Sequence, residues 1–367
     1  MNILSQKSSV NGNLSTKPIS QGLPGHYYFS PDIFALEMQS LWSSAWQFIG
    51  RESDLSNPGD YLTCIVGEQP LFVIRTNNGE LRAMHNVCPH RAARLLDGKG
   101  NCNRVRCPYH AWSFDLEGKL QGLPQAKFFP NLDKSTVRLA EARVETWGGF
   151  IFVNPESEGE SLKSYLADFP NYLEQYEYSW QELQEVDRWS YDEPVNWKFS
   201  VENYLECYHL PVVHAQSLEC FYPKDIQYTP TGRHYQISVP YIDEESVKEH
   251  PAFSGEPKAR SYQGLIFPNT MVNTAKDKVS VFHLVPLTPE STRFEVFIYQ
   301  TPAQMEAFPY KPNDFRPEFD RVLNEDFSAV RLLQASVRSK VYKVQLAEEL
   351  EFGISHFHKV LSEYLRQ

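Results

Sequence analysis

Residues 88–112 read CPHRAARLLDGKGNCNRVRCPYHAW, and the architecture of the chain follows from them. Cys88-Pro89-His90 is followed, sixteen residues later, by Cys107-Pro108-Tyr109-His110. These are a C-x-H box and a C-x-x-H box. Two thiolates and two imidazoles so close in sequence can enclose a metal centre. Around them, from Gly59 to Val153, runs such as YLTCIV, LFVIR, LRAMHNV, WSFDL and GGFIFVN are broken by turn residues. The runs are β-branched or aromatic, and Asn77-Asn78-Gly79 and Glu117-Gly118 are hairpin signals. The stretch predicts an all-β unit of about a hundred residues with two metal-type loops inside it.

Outside this unit the chain is globular in composition. Its 367 residues suffice for two or three domains, or for one domain with a sizeable insertion. With 41% hydrophobic and 22% charged residues it is neither disordered nor fibrous. A formal charge of −11 with no basic tract argues against nucleic acid or an anionic membrane as partner. No apolar run approaches the ~18 residues needed to span a bilayer. Residues 1–25 are Ser/Asn/Gln-rich without a continuous apolar core, and read as a flexible tail of a cytoplasmic protein. Without an export signal, the six cysteines are a poor disulfide framework.

Ser30 is a plausible N-cap with Pro31 at the first helical position, which predicts a helix over 31–47 with Phe34, Met38, Leu41 and Trp42 as its apolar stripe. After Asn154 the text turns charged, aromatic and helical. Longer strands follow from about 225 to 300, and helical periodicity returns over about 312–340 and 346–365. The expected division is a tail (1–25), an N-terminal helix belonging to the catalytic domain (26–45), an all-β metal domain (46–155) and a larger α+β catalytic domain (156–367).

The mixed boxes discriminate between metals. Zinc ribbons repeat C-x-x-C. One Cys and one His per loop instead suits a Rieske [2Fe–2S] centre, in which one iron takes two Cys and the other two His. The respiratory kind adds a Cys in each loop, and here those places hold Arg91, Ala92, Ala93 and Tyr109. The centre is therefore of the oxygenase kind, with a potential toward the low end of the range. His85 and Cys102 fit neither box.

A second constellation lies beyond residue 195. NWKFSVENYLECYH (196–209) reads as a helix with Trp197, Val201, Tyr204, Leu205 and Tyr208 on its apolar face and Glu202, Glu206 and His209 on another. Pro211 is expected to break it, so that His209 and His214 turn to one point. Two His with one carboxylate and open positions make the facial triad of non-haem Fe(II) oxygenases. A helix over about 319–337 offers Asp326 within a stripe of Phe319, Val322, Ala329, Val330, Leu333 and Val337. A lone acid there is costly unless paired or metal-bound. Glu325, beside Arg321, reads as a solvated charge. Cys207 and His234, His250, His283, His356 and His358 read as structural or surface residues.

The segments CPH-x16-CPYHAW, NYLECYHLPVVH and NEDFSAVRLLQASVRS resemble the Rieske non-haem iron oxygenases, specifically their terminal oxygenase (α) component, from about residue 27 to the end. The resemblance implies a Rieske domain joined to a helix-grip catalytic domain with an antiparallel sheet. It implies a trimer in which one subunit's cluster feeds the neighbour's iron, with Glu206 bridging His110 to His209 across the boundary. Glu206 stands where most ring-hydroxylating members place Asp. This resembles the branch handling carnitine, glycine betaine and choline. The expected activity is oxidation of a C–H bond of a quaternary ammonium compound by O₂. Electrons would come from NAD(P)H through a separate reductase or ferredoxin, because no G-x-G-x-x-G is present. The alternatives are an aromatic ring-hydroxylating dioxygenase and an electron carrier with a non-catalytic second domain.

Overall fold

The computed structural model describes residues 22–173, 179–218, 226–240, 260–275 and 277–366. Most of the expected tail, together with Cys220 and His250, lies outside them. After a short 3-10 turn (Gly25–Tyr28) comes a helix capped as its sequence dictates: Ser30 Oγ accepts from the Ile33 amide. It runs as α1 (Pro31–Leu36), widens into a π-wound stretch (Glu37–Leu41) and ends in one turn, Trp42–Ser44. It stops before the expected 47, because Gln47 already belongs to a strand.

The first sheet is antiparallel, in the order β1-β10-β9-β4-β3-β2-β5. Its strands are β1 (Gln47–Arg51), β2 (Asp60–Val66), β3 (Gln69–Arg75), β4 (Leu81–His85), β5 (Lys99–Asn101), β9 (Glu141–Trp147) and β10 (Phe150–Asn154). A small three-stranded sheet, β6 (Val105–Arg106), β7 (Ser113–Phe114) and β8 (Leu120–Gly122), completes this unit. Residues 76–80 and 115–119 turn their hairpins, with Gly79 and Gly118 at positive φ (87° and 80°) as such turns demand.

The second sheet contains β11 (Gln184–Glu193), β12 (Gln227–Thr231), β13 (His234–Pro240), β14 (Arg260–Ile266), β15 (Thr270–Thr274), β16 (Val279–Thr288) and β17 (Ser291–Gln300). From β12 to β17 it is an antiparallel meander, and β11 pairs outside β17 at the far edge. Strand β11 lies in text that reads as helical. Only its alternation of half-buried and exposed residues marks it, as expected for an edge strand with charged side chains.

Successive residues of a strand face opposite sides, and β17 uses both. Phe294 meets Phe327 of a covering helix at 5.3 Å between ring centroids. Phe297 meets Phe48, and Tyr299 meets Phe150, both of the first sheet. The sheet is thus sandwiched between helices and the β unit, and one large apolar core runs through all three layers.

The covering helices are α2 (Trp197–Tyr204), α3 (Leu210–Val213), α4 (Pro312–Ser336) and α5 (Phe352–Tyr364). Helix α2 ends at Tyr204, five residues short of His209, and Pro211 occupies the first turn of a new helix. Proline tolerates that position because an N-terminal amide has no helical partner. The buried stripe of α4 is Leu323, Phe327, Val330 and Gln334; of the expected set Val330 and Val337 are buried, and Leu333 is exposed. The N-terminal helix is clamped beneath α2. Glu37 and Lys198 form a fully buried ion pair (2.6 Å), and the Trp197 indole donates to the same carboxylate. Among the described residues, no helix is long and apolar enough to cross a membrane.

Candidate active site

The two cysteine boxes fold alike despite their different spacing. In the first loop the Cys88 amide donates to the Ala93 carbonyl and the Ala92 amide to the Cys88 carbonyl, each at 2.8 Å. In the second, the Cys107 amide donates to Trp112 and the Ala111 amide to Cys107 (2.8 and 3.1 Å). Both loops close on an alanine in the left-handed region, φ 56° at Ala92 and 58° at Ala111. A Cβ there costs about 1–2 kcal/mol, so both loops hold the same strained position. The shared frame places Cys88 and Cys107 in the core and the His90 and His110 rings 4.6 Å apart. Trp112 stacks on His90 at 4.8 Å.

Nδ1 of His90 and Nδ1 of His110 are buried, and neither has a hydrogen-bond partner among the described residues. Buried polar atoms are normally satisfied. Two orphaned ring nitrogens beside two buried thiols are the donor set a [2Fe–2S] Rieske cluster requires, and the residues fit it.

In the catalytic domain, His209, His214 and Asp326 are the one group among the described residues able to share a single ion. Their ligand atoms lie within 4.8 Å of one another. Nε2 of His214 is 2.9 Å, and Nε2 of His209 3.5 Å, from Oδ1 of Asp326. Asn203 Nδ2 donates to the same oxygen at 2.8 Å. The break between α2 and α3 brings the histidines together: His209 caps α3 and His214 closes it. Burial alone would depress His214, but Asp326 and then Glu325 outweigh it and hold its pKa above the ordinary value. That is the proton a divalent cation displaces. Two imidazoles, one carboxylate and open space fit mononuclear Fe(II).

Glu206 does not share a helix face with His209, since α2 has already ended. Its carboxylate folds back on its own turn. Oε1 contacts Nδ1 of His209, and Oε2 accepts from the Tyr208 and His209 amides, the latter at 3.1 Å. Glu202 turns the other way, accepting from the Tyr28 hydroxyl at 2.7 Å and meeting His358 at 2.9 Å. Glu325 is not a free solvated charge: its Oε2 lies 2.8 Å from Nδ1 of His214 and accepts from the Ser217 hydroxyl. Glu325, Ser217 and Asn203 are the site residues missed in the sequence. The one signal available was that each metal-bound histidine needs a partner for its second nitrogen.

The triad stands at a cavity of about 410 Å³ between α2, α4 and the sheet. Tyr204, Phe282, Phe294, Phe315, Phe319 and Phe327 form its aromatic walls. Cys207 also borders it, its thiol pushed up to about 12 by burial and therefore neutral.

A domain whose two loops fit an iron–sulfur cluster, joined to one in which three side chains able to share a metal ion open on a cavity, has the construction of a two-centre iron oxygenase. Residues 180–367 match the ring hydroxylating alpha subunit (catalytic domain) and residues 45–135 the Rieske [2Fe-2S] domain. The chain belongs to this family of Rieske non-haem iron oxygenases, whose cofactors are a Rieske cluster and mononuclear iron. It is 28% identical to the carnitine monooxygenase oxygenase subunit of Escherichia coli (strain K12), covering 94% of each chain. It is also 28% identical to the glycine betaine monooxygenase oxygenase subunit of Chromohalobacter salexigens, covering 91% of this chain and 84% of that one. A solved quaternary ammonium Rieske monooxygenase in complex with L-carnitine superposes with a TM-score of 0.78 at 26% identity, over 94% of this chain and 96% of that one.

Proposed function

We propose that this chain is the oxygenase subunit of a system that oxidises a C–H bond next to a quaternary nitrogen. The observation that carries the reading is the His209–His214–Asp326 group opening on an aromatic cavity whose charges are mainly acidic. Among the described lining residues the acids are Glu206, Glu318 and Asp326, and the one lysine, Lys278, is already paired with Asp277. Aromatic faces attract a quaternary ammonium through their quadrupole, and no counter-ion is required. The relatives named above act on carnitine and glycine betaine.

His209, His214 and Asp326 would hold ferrous iron, which would supply O₂ activation, and Cys88, His90, Cys107 and His110 would hold a [2Fe–2S] cluster, which would supply electrons singly. The chain's own residues do the rest. Asp326 and the Nε2 atoms of His209 and His214 converge on one point. The phenylalanine walls exclude water and hold the alkylammonium head against that point. One oxygen atom enters the C–H bond and the other leaves as water, which consumes two electrons and two protons. A hydroxyl on carbon next to the quaternary nitrogen then collapses: the C–N bond breaks, its electron pair leaves with the amine, the hydroxyl proton is released, and the carbon becomes an aldehyde. The electrons come from NAD(P)H through a separate reductase.

We take residues 46–155 as the electron-transfer domain, and 26–45 with 156–367 as the catalytic domain. The buried Glu37–Lys198 pair favours that assignment of the N-terminal helix. The chain is read as a trimer in which His110 of one copy meets Glu206 of the next. Exposed apolar side chains lie beside each: Tyr109 by His110, and Tyr208 and Val212 by His209. The deciding experiment is oxygen uptake with a surrogate reductase across a panel of quaternary ammonium compounds and arenes. Release of amine and aldehyde with one oxygen atom incorporated is expected. A cis-diol from an arene would replace this reading with the ring-hydroxylating one.

A further inference from the structure

The two histidines of the iron site are held in the same way. Each turns Nε2 toward Asp326 and Nδ1 toward a glutamate: Glu206 behind His209 and Glu325 behind His214. We propose that Glu325 is the positioning residue of His214, accepting its Nδ1–H so that Nε2 presents a lone pair to the metal. The proposal rests on the iron-site reading above.

Four observations carry it. Glu325 and Asp326 are neighbours on α4, yet one reaches the back of the His214 ring and the other its front. This happens because the ring is buried edge-on between them, only 2% exposed. The Ser217 hydroxyl donates to the same Glu325 oxygen that meets His214, which fixes the carboxylate rotamer. The Arg321 guanidinium, one helical turn before Glu325, donates to the Gln216 carbonyl at 3.3 Å and ties the 214–218 turn to α4 from a second side. A carboxylate on the second nitrogen both selects the tautomer and increases the basicity of the ligating one. Glu206 contacts its ring from within its own turn, whereas Glu325 reaches across from another element. His214 is therefore oriented by α4, the helix that also supplies Asp326, and two of the three ligands are registered by one rigid element.

The test is anaerobic Fe(II) titration of the full chain carrying its cluster, against a competing chelator, with the cluster's visible spectrum as a folding control. Glu325→Ala should weaken Fe(II) binding by about 10- to 100-fold while the spectrum and the metal-free melting temperature stay as in the wild type. Glu325→Gln, isosteric but uncharged, should fall between, and Ser217→Ala should give a smaller loss of the same kind. If Glu325→Ala does not fold, Glu325→Gln and Ser217→Ala carry the decision by the same readout. Wild-type affinity in Glu325→Ala overturns the proposal, as does wild-type affinity in both of the other variants. A melting temperature that falls in step with iron binding, with Glu325→Gln restoring both fully, also overturns it and makes Glu325 a loop tether. A wild-type chain that binds no Fe(II) refutes the iron-site reading instead, so the two failures are distinct.

Discussion

At Asp326, three nitrogen atoms converge on one carboxylate oxygen: Nε2 of His209, Nε2 of His214 and Nδ2 of Asn203. Removing that oxygen leaves two imidazoles, too few to retain a divalent ion tightly. Asp326→Ala should therefore lose its mononuclear iron and all turnover while the cluster spectrum stays unchanged, as metal analysis with visible spectroscopy would report. Loss of both centres together would make Asp326 a folding residue. His283 has the opposite character, a histidine that must stay neutral. It lies buried on β16 against Phe48, faces Thr270 Oγ1 at 3.0 Å, and burial lowers its pKa to about 3. The unfolded chain takes up a proton near pH 6.5 that the folded chain refuses. The His283 contribution is thus complete above that pH and lost as pH falls toward 3, at about 1.4 kcal/mol per pH unit. The stability gap between wild type and His283→Gln in urea should narrow by roughly 2 kcal/mol from pH 7.5 to 5. Parallel stability curves would show that His283 titrates normally. His283 was legible as structural, having no ligand partner at suitable spacing. Glu325 was not: sequence places it off the apolar face of a helix but does not reveal that the 214–218 turn packs there.

Helix α2 shows how an element can be right in kind and wrong in extent. Its apolar residues Trp197 and Val201 are buried as the periodicity demands, and Asn196 caps it, accepting from the Lys198 amide at 3.0 Å. What sequence did not reveal was the break after Tyr204. The expected cause was Pro211, but the turn is built instead by Glu206 accepting backbone amides, a side-chain interaction with no local spacing signature. The Rieske domain was legible because its chemistry is local: two Cys and two His in two loops at a fixed register. The stripe of α4 was read only in part: Val330 and Val337 are buried as expected, but Phe319 and Val322 are half-buried at the cavity and Leu333 is exposed. Beneath α2, the Glu37–Lys198 pair has both side chains fully buried. Lys198→Met removes one charge and strands the other, which should cost about 3–5 kcal/mol in chemical denaturation. Adding Glu37→Gln keeps an acceptor for the Trp197 indole and should recover most of that loss. A single variant as stable as wild type would mean that water reaches Glu37.

For the whole molecule, the question is whether the electron crosses between copies of the chain. Both oxygens of Glu206 are engaged within their own turn, and the side chain is 9% exposed. A carboxylate oxygen carries two lone pairs, so it can still accept from an imidazole of a neighbour. His110 is the candidate, because its Nδ1 is buried without a hydrogen-bond partner among the described residues and its other nitrogen is left to donate. The arrangement can be tested without knowing the substrate's exact contacts, by mixing two differently tagged inactive chains. His90→Ala disables the cluster and leaves the iron site, while Asp326→Ala does the reverse. If the electron stays within one chain, no mixture regains single-turnover oxidation of the iron-bound partner's substrate. If it passes to the next chain in a head-to-tail ring, an Asp326→Ala copy can feed a His90→Ala neighbour. Random assembly at equal ratio then places a working donor beside a working acceptor at about one interface in four. Co-expressed chains should thus recover about a quarter of wild-type turnover per subunit, and none when purified apart. Adding Glu206→Gln to the His90→Ala chain should slow the recovered turnover, whereas adding it to the Asp326→Ala chain should not, because only the copy holding the iron presents Glu206 to its neighbour's cluster. Unchanged recovery from the first placement would rule out the bridge, and loss of iron from that chain would leave Glu206 as a brace for His209 and no more.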